Sequence, residues 1–240
     1  MSLHFFRRHQ ARLPLILASA GCVGLLALAA PAAAAELTGS AALTTDYVFR
    51  GITQTQGDPA VQMGAKLASD SGFYGAVWGS TVEIPGDSGA SSEIDYVAGW
   101  GGQLAADWAL DVNVTYYDYP SARAELDSPE LIGTVSYRDN SWLMVGYSPD
   151  VFATGETGVY AQLGAKFPVT DALRIEAAVA HYALDDAYGD SYSHAQLGAV
   201  WAFKAPFELR VTAHGTDSAA KRLFPELAGS RVEAALQASF

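Results

Sequence analysis

Residues 108–116 have the sequence WALDVNVTY, in which large apolar side chains alternate with small or polar ones. Successive side chains of a β-strand point to opposite faces, so this alternation predicts a strand with one apolar face and one polar face. The same period of two recurs over residues 37–50, 173–179 and 232–240. The pattern therefore indicates an all-β fold.

About twelve strands are predicted when the alternation is followed along the whole chain. They lie near residues 37–50, 59–68, 72–84, 93–101, 108–118, 129–138, 141–148, 157–167, 172–184, 191–203, 206–214 and 228–240. The connections between them alternate between short turns and longer polar loops. Short turns at one end of a sheet and long loops at the other are typical of an outer-membrane β-barrel.

The chain after residue 35 contains no apolar run of 18 residues, so no transmembrane helix is predicted there. A bilayer offers no water to backbone N–H and C=O groups, and only helices or closed barrels satisfy these groups internally. We therefore predict one antiparallel transmembrane β-barrel, with both termini periplasmic, the apolar stripe on lipid and the polar stripe in the lumen. A soluble barrel or sandwich, with the apolar stripe inside, is the alternative.

The first 35 residues have the pattern of a secretory signal peptide. A basic segment at 7–12 precedes an apolar segment at 13–30, and an Ala-x-Ala motif ends at Ala35, directly before Glu36. We expect export, cleavage after residue 35 and a mature barrel over 36–240, whereas an uncleaved membrane anchor is the alternative. Loss of three arginines and no acids would change the net charge from −12 to −15.

Composition excludes several classes of function. A net charge of −12 argues against a nucleic-acid partner, which a basic surface would recognise. One cysteine excludes an internal disulfide framework and a cysteine-rich zinc site. The acidic segment 185–190 lacks the ligand spacing of a calcium-binding hand. We predict no metal site and no cofactor.

An outer-membrane hydrolase is the enzyme alternative. Its candidate residues are His181, His194 and His214 with Asp185, Asp186, Ser193 or Asp217. Ser193 and His194 are adjacent, so in a strand they point to opposite faces and cannot form a nucleophile–base pair directly. No G-x-S-x-G, H-E-x-x-H or P-loop pattern occurs in the sequence. We therefore predict that the protein is not an enzyme.

Aromatic residues cluster near the ends of the predicted strands, as in the two interfacial girdles of membrane barrels. We expect a lipid-facing lower girdle of Tyr74, Trp100, Trp108, Trp201, Phe203, Phe207 and Phe240. We expect an upper girdle of Tyr47, Phe49 and Tyr116. Phe240, with apolar residues at alternate positions before it, also resembles the C-terminal insertion signal of outer-membrane proteins.

Several short segments resemble a known family. They are DYVFRG at 46–51, PAVQ at 59–62, GFY at 72–74, WGS at 78–80, EIDY at 93–96, YYDYP at 116–120 and GYSPD at 146–150. In their order and spacing they are similar to the TorF-type family of proteobacterial outer-membrane porins. The resemblance covers most of the mature chain and implies an outer-membrane barrel of porin type, without implying a particular solute.

The alternation of side chains along the predicted strands places nearly equal numbers of acidic and basic residues on the lumen side. The acids are Asp46, Glu83, Glu93, Asp95, Asp111, Glu130, Glu176, Glu208 and Glu233. The bases are Arg50, Lys66, Arg138, Lys166, Arg174, Arg210 and Arg231. Cross-strand ion pairs would brace a narrow interior, while the excess of acids in loops and rims would raise the local cation concentration. Asp46 and Arg50 are either a selectivity filter near the outer mouth or part of a structural ladder.

These features predict a narrow outer-membrane channel for passive diffusion of small polar solutes or ions, weakly preferring cations. A non-conducting structural or adhesin-like barrel with acidic loops, or one plugged by its own ion pairs, is the alternative. The predicted partners are outer-membrane lipids, lipopolysaccharide and the barrel-assembly machinery. Nothing in the sequence identifies a subunit interface, so association into oligomers stays open.

Overall fold

A computed structural model describes residues 35–86 and 88–240, and these residues form a closed β-barrel of twelve strands. Every barrel strand pairs antiparallel with its neighbours along the chain, and the first closes on the last. The barrel strands are β1 (Ala35–Thr44), β4 (Ala60–Ser69), β5 (Phe73–Thr81), β6 (Ser92–Ala105), β7 (Trp108–Asp118), β8 (Ser128–Tyr137), β9 (Ser141–Ser148), β10 (Gly158–Pro168), β11 (Leu173–Ala183), β12 (Tyr192–Lys204), β13 (Phe207–Thr216) and β14 (Arg231–Ser239). The predicted fold class is confirmed.

Small elements occupy the long connections. A two-residue hairpin of β2 (Val48–Phe49) and β3 (Ile52–Thr53) lies in the first of them. The later loops carry a 3-10 turn over Val151–Ala153, helix α1 (Asp185–Tyr188) and helix α2 (Ser218–Leu223). In the part of the chain that the structure describes, no helix is long and apolar enough to cross a membrane.

The first strand is shorter than predicted. The alternation suggested a strand over 37–50, but β1 ends at Thr44 and residues 45–59 turn into the barrel. Arg50 and Gly51 have positive φ angles of 50° and 84°, which makes the tight reversal between β2 and β3. The alternating pattern continues past Thr44 because β2 is also extended backbone, so periodicity could not reveal the turn.

The apolar side chains of the strands face outward, as predicted for a barrel in lipid. Leu37, Met63, Leu163, Leu197 and Val232 are among the most exposed apolar residues, whereas most inward positions carry polar, charged, small or tyrosine side chains. A soluble barrel would bury the apolar face instead. The observed arrangement matches the lipid-facing stripe of a transmembrane barrel.

Most of the expected aromatic girdle lies on the outer face. Trp108, Trp201, Phe203, Phe207 and Phe240 are exposed at the end with the short turns, and Tyr116 is exposed near the long loops. The Phe240 ring covers Gly39, where a Cβ would lie 2.5 Å from Phe240 Cε2. A side chain at position 39 would therefore displace this terminal ring.

Three girdle predictions are wrong. Tyr74 points inward, where its hydroxyl donates to Asp111, because β5 places Phe73 on the outer face. Tyr47 and Phe49 belong to the segment that enters the barrel, and Tyr47 is buried. Apolar residues occupy both faces of β5 near its start, so its parity was ambiguous from sequence.

Both described chain ends lie at the end of the barrel with the short turns, since Ala35 pairs with Ser69 and Ser40 with Ser239. That this end faces the periplasm stays a prediction. Residues 1–34 lie outside the described residues, so the signal peptide and its cleavage between Ala35 and Glu36 also stay predictions.

Candidate functional site

The charged residues of the lumen lie at two levels along the barrel axis. The upper level comprises the charged residues within four residues of the long-loop ends of the strands, together with those in the segment 45–59. They are Asp46, Arg50, Glu93, Asp95, Glu130, Arg231 and Glu233. The lower level comprises the charged residues within four residues of the short-turn ends of the strands. They are Lys66, Asp111, Lys166, Arg174, Glu176, Glu208 and Arg210. Two lumen predictions are wrong. Glu83 lies exposed in the loop after β5, which ends at Thr81, and Arg138 lies exposed in the turn after β8, where it pairs with Asp107. The other charged residues predicted for the lumen belong to one of these two levels.

Four lower-level residues form a charge ring, which we define as Arg174, Glu176, Glu208 and Arg210. Arg174 donates to Glu176 at 2.7 Å and, through both terminal nitrogens, to Glu208 at 2.9 and 3.3 Å. Arg210 binds Glu176 at 2.8 Å and approaches Glu208 at 3.5 Å. The side chains are 19–32% exposed, so the ring lines accessible space.

The charge ring spans three strands. Arg174 on β11 and Arg210 on β13 both pair in register with Val200 on β12. Glu176 and Thr212 likewise flank Gly198. The apolar and small residues of β12 let the long side chains of both neighbouring strands meet over it. The ring is a cross-strand network of the kind expected to brace a sheet.

A second lower-level group contains Lys66, Tyr74, Asp111 and Asn113. The Tyr74 hydroxyl donates to Asp111 at 2.8 Å, and the Asn113 amide donates to the same carboxylate at 3.0 Å. Lys66 Nζ lies 3.6 Å from the centroid of the Tyr74 ring, a cation–π contact. Together with Lys166 and the charge ring, the lower level has four bases and three acids, a formal excess of one positive charge.

The upper level is organised around the lumen loop, which we define as residues 45–59. Tyr47 packs edge-on against Trp78 of β5, with ring centroids 5.3 Å apart. On the other side, the Arg50 carbonyl oxygen accepts a hydrogen bond from the Tyr192 hydroxyl of β12 at 3.0 Å. A cavity of about 10 Å³ lies beside Phe49 and Arg50, about the least volume that one water requires. The loop therefore fills this level of the barrel.

Arg50 anchors the lumen loop to the wall. Its Nη2 lies 2.7 Å from Glu130 Oε2 of β8, and the two side chains are 6% and 2% exposed. The Tyr117 hydroxyl donates to the same carboxylate oxygen at 2.8 Å. The Arg50 guanidinium also lies 4.1 and 4.8 Å from the ring centroids of Tyr160 and Tyr182. Burial makes this pair costly to break on one side only.

Asp46 forms a second anchor, with Arg231 of β14. Asp46 Oδ2 lies 2.8 Å from Arg231 Nη1, and Oδ1 accepts hydrogen bonds from the Thr53 and Thr55 hydroxyls. Asp46 and Arg50 therefore contact different strands and do not contact each other. Nearby, the Glu233 carboxylate bonds to His214 Nε2 at 3.0 Å and accepts from Thr44 at 3.1 Å.

Glu93 and Asp95 are the exception among the upper-level acids. Both are buried on β6, and Glu93 accepts one hydrogen bond from the Tyr119 hydroxyl at 3.2 Å. Within the described chain, neither forms an ion pair, and Glu93 Oε2, Asp95 Oδ1 and Asp95 Oδ2 have no hydrogen-bond partner. The seven upper-level residues comprise five acids and two bases, a formal excess of three negative charges.

Sequence reasoning missed the aromatic lining of the upper level. Tyr117, Tyr160, Tyr182 and Tyr192 point inward and surround the lumen loop. Large aromatic residues at positions with lumen parity were the signal that could have indicated a filled interior. The ion pairs themselves could not be assigned, because parity shows the face of a residue and not its partner.

The residues considered for catalysis are separated by the barrel wall. His181 lies on the outer face with its Nδ1 3.0 Å from Ser193 Oγ, and His194 and His214 are buried inside. Asp217 accepts from the backbone N–H groups of Ser193 and Ala220, and so caps α2. Within residues 35–86 and 88–240, no group of three or more His, Cys, Asp or Glu side chains could hold a metal ion.

The chain belongs to the Gcw_chp family, described as bacterial proteins of unknown function, whose profile matches residues 28–240. No curated protein matches the sequence. Among solved structures, the KdgM porin aligns with a TM-score of 0.56 at 9% identity, covering 85% of this chain and 99% of that chain. The NanC porin gives a TM-score of 0.53 at 8% identity, with the same 85% and 99% coverage.

An outer membrane channel from Pseudomonas putida F1 is also similar, with a TM-score of 0.50 at 11% identity, covering 85% of this chain and 95% of that chain. At these identities the likeness concerns the fold. The twelve-stranded barrel is thus of the kind found in small outer-membrane porins, and the solved neighbours are channels and porins, not enzymes.

Proposed function

We propose that this protein is an outer-membrane channel of porin type, through which small polar solutes or ions diffuse passively. The observation that carries the proposal is the closed barrel itself, with apolar side chains outside and charged levels inside. A wall of this kind satisfies its backbone groups within a bilayer. Charged side chains cost free energy in a dry core, so a charged interior favours one that contains water. The TorF-type porin assignment made from sequence is consistent with this function.

The proposal includes the setting of the barrel. The signal peptide would export the chain, the short-turn end would face the periplasm, and lipid and lipopolysaccharide would surround the apolar band. The terminal Phe240, which bonds to Gly39 through both backbone groups, would serve as the signal for the insertion machinery. These statements rest on the sequence pattern and on the usual architecture of such barrels.

We propose that the passage is narrow and prefers cations. The support is the excess of three negative charges at the upper level, where the lumen loop occupies the interior beside a cavity of about 10 Å³. Acidic groups at a constriction with low-dielectric walls attract cations and repel anions. One KdgM structure is described as a complex with disordered oligogalacturonate, a polyanion. The acidic upper level of this chain disfavours such a solute.

Planar-bilayer recording of the refolded full-length mature chain tests the function. We expect discrete conductance steps. Under a gradient of potassium chloride, we expect a reversal potential shifted toward the equilibrium potential of potassium, as cation preference requires. A reversal potential of the opposite sign would contradict the cation preference while leaving the channel intact. Absence of any conductance would contradict the channel itself.

A non-conducting barrel is the second candidate, and the filled upper level favours it. The lumen loop contacts wall residues on several strands. Its Arg50–Glu130 ion pair is buried, and its Asp46–Arg231 pair is largely buried. If the barrel serves only as a surface structure, removal of the loop would produce conductance that the native protein lacks. Binding of whole cells or lipopolysaccharide by the native protein would then support the adhesin-like function.

A further inference from the structure

Two neighbouring carboxylates on β6 are buried in the upper lumen wall. Glu93 and Asp95 are two residues apart on one strand and therefore point to the same, inward face. They are 3% and 1% exposed. Carboxylates at such exposure are normally paired with bases or held by several hydrogen-bond donors.

No basic side chain of the described residues pairs with these two carboxylates. The upper-level bases Arg50 and Arg231 already bind Glu130 and Asp46, respectively. In the described residues, three of the four oxygens of Glu93 and Asp95 have no hydrogen-bond partner. Moving an ionised carboxylate out of water without a counter-charge costs several kcal/mol. The pair is therefore neutralised by protons or by a cation from outside the chain.

The surroundings offer oxygen ligands and aromatic rings. The Tyr119 hydroxyl reaches Glu93 Oε1 at 3.2 Å. Asp95 pairs in register with Trp78 on β5 and with Tyr117 on β7. Carboxylate and other oxygen ligands are those that hard cations such as Ca²⁺ and Mg²⁺ prefer, often completed by backbone carbonyls and water. Thiolate or imidazole ligands would instead indicate a transition metal.

We propose that Glu93 and Asp95 form a binding site for one hard divalent cation, Ca²⁺ or Mg²⁺, in the wall of the upper lumen. The two carboxylates supply the charge, and further oxygens of the wall or of water complete the coordination. The bound ion would neutralise two of the three excess negative charges of the upper level. This inference goes beyond the channel function and does not depend on conduction.

Terbium luminescence tests the site in the refolded mature chain in detergent, after dialysis against EDTA. Tb³⁺ replaces Ca²⁺ at oxygen sites and emits strongly when a nearby aromatic ring is excited, and Trp78 lies on the strand next to Asp95. We expect saturable emission with one ion per barrel, displaced by Ca²⁺. Asp95→Asn should weaken the apparent affinity by about tenfold or more, since even loss of an outer-sphere partner costs about this much.

Asp111→Asn is the matched control, because it also removes one inward carboxylate charge but from a group that accepts two hydrogen bonds. It should leave terbium emission unchanged. Equal loss in both variants, or no saturable emission in the native chain, would overturn the proposal.

Thermal unfolding distinguishes whether a metal ion or protons neutralise the Glu93–Asp95 pair. Ca²⁺ should raise the unfolding temperature of the native chain and not that of Asp95→Asn. If EDTA and Ca²⁺ leave the native chain unchanged while Asp95→Asn is more stable in both, protons neutralise the pair and the proposal is wrong. Neither assay measures conductance, so failure of the proposed channel function and failure of the proposed cation site can be told apart.

Discussion

At the residue scale, the Arg50–Glu130 pair is the more buried of the two ion pairs that anchor the lumen loop. Glu130→Gln would leave the Arg50 guanidinium buried without its counter-charge. We expect the free energy of unfolding in detergent to fall by about 3–5 kcal/mol, the usual cost of removing one partner of a buried pair. Urea denaturation followed by tryptophan fluorescence measures this change.

The control for this prediction is Asp107→Asn, which breaks an exposed ion pair. Arg138 and Asp107 are 3.3 Å apart, and their side chains are 59% and 47% exposed. Exposed pairs contribute at most about 1 kcal/mol, so this variant should be nearly as stable as the native chain. Similar losses in both variants would mean that burial does not strengthen the Arg50 anchor.

At the element scale, the lumen loop decides the width of the upper barrel. Replacing residues 48–53 by two glycines removes Arg50 and the β2–β3 hairpin, and with them the side chains that fill this level. We expect single-channel conductance to rise several-fold, because the narrowest part of the passage widens. Planar-bilayer recording measures this directly.

An equivalent change in a rim loop provides the comparison. Thr154 and Glu156 are exposed on either side of Gly155, so replacement of both by glycine should leave conductance unchanged. An unchanged conductance in the 48–53 variant would show that this loop is not the constriction.

At the scale of the whole molecule, the outward apolar face predicts where each tryptophan lies relative to lipid. Trp201 is exposed on the outer face, whereas Trp78 is buried inside. In vesicles of brominated phospholipid, a variant that retains only Trp201 should be strongly quenched, and one that retains only Trp78 weakly. Weak quenching of both variants is the result expected of a soluble barrel, which would not enter the bilayer.

Much of the fold could be predicted from local sequence. The bounds of β7 and β9 agree with the predicted strands 108–118 and 141–148, because in those segments the alternation of side chains is unambiguous and ends at polar connections. The alternation along single strands likewise predicted that Glu93, Glu130 and Arg174 face the lumen. In β5, with aromatic residues on both faces, the same reasoning misplaced Tyr74.

The sequence by itself determined the number of strands and the face of most charged residues, because side chains that alternate in type at consecutive positions indicate the two faces of a strand. Only the tertiary structure decided which charges meet. Arg50 and Glu130 are 80 residues apart, and they come together because the barrel closes and the lumen loop folds into it. Glu93 and Asp95 have no basic partner among the described residues, since both upper-level bases bind other carboxylates.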